Sequence, residues 1–158
     1  MLIYHPAFDN YHCMIRILKV LENLPKQKYS YDRIRIYDYF FLFPNDLRKI
    51  TIPTALRHYK LIKAENKYNT IHNPIEVFRR ISGFQYLALN ALASYDLIDN
   101  ALFQEKIILR TDKQIPFELN LRDFEQKYLE FLHSYASKLA LKELKERTKL
   151  MEHRYELS

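Results

Sequence analysis

Residues 31–44 read YDRIRIYDYFFLFP, and Tyr39, Phe40, Phe41, Leu42 and Phe43 form an unbroken run of large apolar side chains against Pro44. Ser30 is a good N-cap, and Asp32 places a negative charge in the first turn, where it suits the helix dipole. The spacing predicts a helix from Ser30 to about Phe43, stopped by Pro44. Its charges, Asp32, Arg33, Arg35 and Asp38, fall in the first two turns at scattered angles, so the last turn and a half has no polar face. A helix apolar all round is buried all round. A membrane span needs about 20 apolar residues, and this run is far shorter. The stretch is therefore the domain's central helix, part of a partner surface, or both, since an obligate interface resembles a core cut in half. Aromatic residues anchor interfaces, which makes Tyr4, Tyr11, Tyr37 and Tyr39 candidate partner contacts.

Upstream, DNYHCMIRILKVLENL (residues 9–24) offers Asp9 and Asn10 as caps and repeats Met14, Ile17, Leu18 and Leu21 at helical spacing before Pro25. Downstream, Pro53 suits the first turn of a helix over TALRHYKLIKAENK, and Asn73-Pro74 marks a further start, with Asn at the cap and Pro at the first helical position. From there Ile75, Phe78, Ile81, Leu87, Leu89 and Leu92 carry an apolar stripe, with a possible break at Ser82-Gly83. At its end Asp96 stands where the left-handed conformation is usual, and Leu97-Ile98 would enter a strand. Lys106–Arg110 is the most strand-like stretch, bounded by Thr111-Asp112-Lys113 and Pro116, with a returning strand expected after the turn. Asn120, with Asp123 three residues on, opens a long helix carrying Leu121, Phe124, Tyr128, Phe131, Tyr135 and Leu139. Beyond residue 138 it becomes charge-rich and is expected to project from the body. The predicted fold is mainly α with a small β wing: a winged helix-turn-helix-like domain with N-terminal helices and a long C-terminal helix. It is a single domain over 1–158, divided into 1–50, 51–119 and 120–158.

The bulk composition agrees. A chain of 158 residues buries about 68–70% of its unfolded surface without a staple. Hydrophobic residues at 48% exclude disorder. The single cysteine, Cys13, excludes an internal disulfide and favours the cytoplasm. The opening MLIYHPAFDNYHC has no basic segment leading into an apolar one, so no export signal is expected. A single glycine, Gly83, rules out phosphate-cradling loops and dinucleotide fingerprints, which need several.

Site chemistry is sparse. His5, His12, His58, His72, His133 and His153 contain no pair spaced by four, and His5, His12 and Cys13 would make a metal site only with a fourth ligand from elsewhere. A His12–Cys13 nucleophile pair fails because helix neighbours point about 100° apart. Asp9, Asp32, Asp38 and Asp46 read as cap and turn residues. No catalytic residue, cofactor or metal is expected.

Charge says more. Between Arg48 and Arg80 there are eight basic residues against Glu65 and Glu76, an excess of +6 that equals the net charge of the whole chain. Basic helices suit phosphate contacts. Arg57, Lys60, Lys63, Lys67, Arg79 and Arg80 are the candidate nucleic-acid-binding residues, with an acidic protein as the alternative partner.

YHPAFDNYHCMIRIL (residues 4–18), DRIRIYDYFFLFP (32–44) and ALASYDLID (91–99), in that order and spacing, resemble the middle components of bacterial ABC-three-component systems, the group that includes Lamassu-type antiviral defence. The resemblance implies a winged-helix adaptor without catalytic activity, working in the cytoplasm as part of a hetero-oligomer. Its partners would be an SMC-like ABC ATPase and an effector, often a nuclease, with double-stranded DNA touched by the complex. The alternative is a free-standing winged-helix transcription regulator, which would need a symmetric dimer to read two half-sites.

Overall fold

The computed structural model describes residues 9–63 and 73–151. Asp9 caps α1 (Asn10–Glu22), its carboxylate accepting the His12 N–H at 3.1 Å. Ser30 does the same for α2 (Tyr31–Leu42), its hydroxyl accepting the Arg33 N–H at 3.1 Å. From Ile36 to Phe43 every residue is buried, so YDYFFLFP is the central helix. Tyr39 is the hub of its aromatic packing, with ring centroids 5.1 Å from Phe40, 5.2 Å from Phe43 and 6.0 Å from Phe78.

After Pro44 the chain continues as two 3-10 helices, Pro44–Lys49 and Thr54–Leu61. The Asn73 side chain then accepts from the N–H groups of Ile75 and Glu76 and starts α3 (Pro74–Ser94). The expected break at Ser82-Gly83 does not occur, and α3 is one helix packed on α1 and α2. Phe78, Ile81, Ala88, Leu89 and Leu92 face the core. Asp96 takes the left-handed conformation at φ 60°, and the Leu97 N–H bonds to the Leu92 carbonyl at 2.9 Å. This is the six-to-one bond that closes a helix end, made with Asp in the place of Gly.

The wing departs from expectation. Leu97-Ile98 contributes one bridge residue, Ile98, and then α4 (Asn100–Gln104) intervenes. Lys106, at φ 60°, turns the chain into β2 (Ile107–Ile108). β2 pairs antiparallel with β1 (Tyr29–Ser30), Tyr29 opposite Ile108. Its continuation closes on residues 97–99 through the Ile98–Arg110 bridge and the Thr111 N–H to Leu97 carbonyl bond. No returning strand forms between residues 111 and 122. The small sheet thus joins the N-terminal helices to the end of α3, its outer partners already taken when the chain leaves Arg110.

The C-terminal region is also corrected. α5 (Asp123–Ser134) begins after Arg122 rather than Asn120, and Glu125 is the residue that reaches back, accepting the Arg122 N–H at 2.9 Å. A 3-10 turn, Ala136–Lys138, and α6 (Leu141–Thr148) replace the single long helix. Arg33 of α2 donates to the carbonyls of Ala136 at 3.2 Å and Leu139 at 2.6 Å, and so ends α5 from outside. Lys145 pairs with Asp32 at 3.1 Å, and Arg147 donates to the Thr51 carbonyl at 2.9 Å. α6 is therefore folded back on the body and does not project. Among the described residues no helix is long and apolar enough to cross a membrane.

Candidate partner and nucleic-acid interfaces

The densest chemistry lies inside the three-helix core. α1 turns Cys13 and Arg16 inward, α2 contributes Asp38 and α3 contributes Gln85, all buried. Arg16 Nε donates to Asp38 Oδ1 at 2.7 Å, and its second guanidinium nitrogen reaches Oδ2 at 3.3 Å. Gln85 Nε2 donates to Asp38 Oδ2 at 2.9 Å and to the Arg35 carbonyl at 3.1 Å, while its Oε1 accepts from Arg35 Nε at 3.1 Å. The Arg35 guanidinium lies over the Phe78 ring, 4.4 Å from its centroid. Burial works against the Arg16 charge, but the Asp38 carboxylate outweighs it and holds the guanidinium above its ordinary pKa. The arrangement locks the register of three helices through one carboxylate, and each of its members is spent on its neighbours.

Cys13 belongs to this cluster, its thiol donating to Asp38 Oδ2 at 3.7 Å. Burial, followed by the Asp38 charge, pushes the thiol pKa far up, the opposite of what a nucleophile needs. His12 is exposed on the outside of α1, its Nδ1 3.4 Å from Asp9. A thiol reagent such as DTNB should leave the native chain unlabelled at neutral pH and label Cys13 fully in guanidinium. Rapid native labelling would contradict the placement. Among the described residues no group of His, Cys, Asp and Glu side chains could hold a metal ion, and His5, His72 and His153 lie outside them.

The candidate partner tyrosines separate. Tyr37 and Tyr39 are core residues, 1% and 0% exposed, and offer this chain no surface. The Tyr37 hydroxyl accepts from Arg33, and the Tyr39 hydroxyl donates to Asp46. Tyr11 is 61% exposed. Tyr4 lies outside the described residues, as does Lys67.

The basic window is divided as well. Arg57 and Lys60 sit one 3-10 turn apart on Thr54–Leu61, and Lys60 reaches the Arg48 carbonyl at 3.5 Å. Lys63 follows at the edge of a cleft shared with Arg122 and Lys127 of the α5 region. Arg79 and Arg80 are exposed on α3, which packs on α1, α2 and α4, whereas Thr54–Leu61 packs on Pro44–Lys49 and α5. On α3 the same outward side continues through Gly83, Tyr86, Leu87, Asn90 and Ser94, all exposed. A side chain added at Gly83 would meet nothing within 4 Å.

A family model described as ABC-three component (ABC-3C) system Middle Component 5 matches residues 2–156. The chain belongs to this family. No curated protein and no solved structure matches it. The Middle Component 5 chain is thus one part of a system of several components. The sequence reading missed its outward apolar residues: Leu61 is 73% exposed, Tyr86 48% and Leu87 51%. Leu87 was assigned to the core stripe, but it lies about 200° around the helix from Leu89. Tracing the helical wheel finds it. No local signal marks Arg122 and Lys127 as neighbours of Lys63, because tertiary packing alone brings them together.

Proposed function

We propose that this middle component is a non-catalytic adaptor of a bacterial antiviral defence complex of the Lamassu type, acting in the cytoplasm. It holds an SMC-like ABC ATPase to an effector subunit, and the assembled complex touches double-stranded DNA. The observation that carries the reading is the outward face of α3. Two arginines, Arg79 and Arg80, lead into a glycine and then into Tyr86 and Leu87, all exposed along one helix. Glycine inside a helix costs about 1 kcal/mol against alanine, and packing within the described chain gives Gly83 no compensation. A partner backbone brought close to that point does. The polar cluster at Asp38 supports the same reading, since its groups are committed to holding helices together.

DNA contact in this account runs through exposed cations and not through a wing, because β2 takes β1 as its partner. Co-expression with the ATPase and effector of the same system, followed by affinity capture on this chain, tests the proposal. Both components should come down and survive high salt. Elution of the chain alone, as a dimer that binds its own upstream DNA, would favour the transcription regulator instead.

Gly83 separates folding from assembly. Gly83→Ala should stabilise the isolated chain by about 0.5–1 kcal/mol in thermal unfolding. Gly83→Gln should fold as well and lose captured partner by about tenfold or more. Undiminished capture by Gly83→Gln would remove this face from the interface.

A further inference from the structure

We propose that the cleft between the end of the 3-10 helix Thr54–Leu61 and the start of α5 docks an acidic protein segment that carries a large apolar side chain. The cleft measures about 540 Å³ and is lined by Leu61, Ile62, Lys63, Arg122, Asp123, Phe124 and Lys127. That size lies within the range of roughly 300–1,000 Å³ usual for ligand clefts. Its rim sets three cations, Lys63, Arg122 and Lys127, against one carboxylate, Asp123, and all four side chains are exposed. Lys63 belongs to the connection after the 3-10 helix and Lys127 to the second turn of α5, so the positive rim is assembled from distant parts of the chain.

The chemistry of the floor decides between acidic ligands. Leu61 is 73% exposed, and the half-buried Phe124 ring lies beneath the Arg122 guanidinium, whose carbon is 5.9 Å from the ring centroid. A phosphodiester backbone would use the cations and leave Leu61 and Phe124 in water. A protein segment with Asp or Glu flanking Leu or Phe uses both, placing carboxylates on Lys63 and Lys127 and the apolar side chain against Leu61. Burial of an exposed leucine by a partner contributes about 25 cal/mol per Å² of apolar surface removed from water. The charges add steering and register. The identification of such a partner as another component of the system rests on the adaptor reading, but the chemistry of the cleft does not.

The test uses the full chain and a fluorescein-labelled peptide of sequence Glu-Asp-Glu-Leu-Phe-Glu-Asp-Glu, with the same peptide carrying Ser-Ser for Leu-Phe and a short DNA duplex as competitors. The Leu-Phe peptide should bind, and the Ser-Ser peptide should bind about tenfold more weakly or worse. Lys63→Glu/Lys127→Glu and, separately, Leu61→Ser should each weaken the Leu-Phe peptide by at least about tenfold, with far-UV dichroism unchanged. Two results would overturn the proposal: no peptide binding, or duplex binding that the charge reversals abolish and Leu61→Ser leaves untouched. Capture of the system's components separates the two claims. If wild type and Lys63→Glu/Lys127→Glu capture them equally, the adaptor stands and the cleft falls as its docking site. If the peptide binds as described while wild type captures nothing, the cleft stands and the adaptor falls.

Discussion

Asp38→Ala should destabilise the chain by about 3–5 kcal/mol, because it strips a buried guanidinium of its carboxylate. Asp38 is fully buried and receives Arg16 through two nitrogens, Gln85 through its amide and Cys13 through its thiol. Against a total stability of about 5–15 kcal/mol for an ordinary domain, the loss takes about a fifth or more. Two further variants identify the cause. Arg16→Met/Asp38→Leu removes both charges and should recover most of the loss, since a buried pair replaced by apolar groups of similar volume is near neutral. Arg16→Met alone strands the carboxylate and should resemble Asp38→Ala. Urea unfolding followed by far-UV dichroism reads all three. Additive effects in the double variant would mean that the pair is not coupled and that the cluster is not the lock it looks like.

Tyr39→Ala should cost about 3–5 kcal/mol, the usual range for emptying an aromatic site in a core. Tyr39 touches the rings of Phe40, Phe43 and Phe78, so the cavity opens at the junction of α2 with α3. Tyr39→Phe tests the other half of the residue. The hydroxyl donates to Asp46, which is itself buried, and the phenol pKa is pushed well up, first by burial and then by that bond. Losing the bond should cost about 1–3 kcal/mol, the penalty for leaving a buried acceptor less satisfied. Equal costs for Phe and Ala would assign the whole effect to the hydroxyl and contradict the packing account. Neither variant should alter partner capture at temperatures where it remains folded, because Tyr39 is not at the surface.

Legibility followed the reach of each signal along the chain. Asp9, Ser30 and Asn73 were readable as caps because a cap acts on the next three residues, and each forms the bond expected of it. Asp96 was readable for the same reason. The break between α5 and α6 was not, since Tyr135–Ala140 contains neither Gly nor Pro and is fixed by Arg33, far away in sequence. The wing failed in the same way: the strand expected over Lys106–Arg110 forms at Ile107–Ile108, but its partner at 29–30 precedes it by about half of the chain. Asp38 looked like one more scattered charge on α2. Its role appears only when α1 and α3 close on it.

The face of α3 shows the middle ground. Arg79 and Arg80 stood out in the sequence as part of the basic excess, yet Leu87 passed for core because apolar residues are assigned inward by default, and Tyr86 drew no reading at all. Gly83 was read as a possible helix break, whereas the helix runs straight through it. Gly83 lies on an open helical face, where an added side chain would meet nothing within 4 Å.

The most direct test of the adaptor account is capture of the tagged ATPase from cells that express the effector with or without this chain. The effector should come down only when the chain is present, in fixed ratio with it, and Gly83→Gln should reduce the yield. Recovery of the effector on the ATPase in the absence of the chain would show that no bridge is needed.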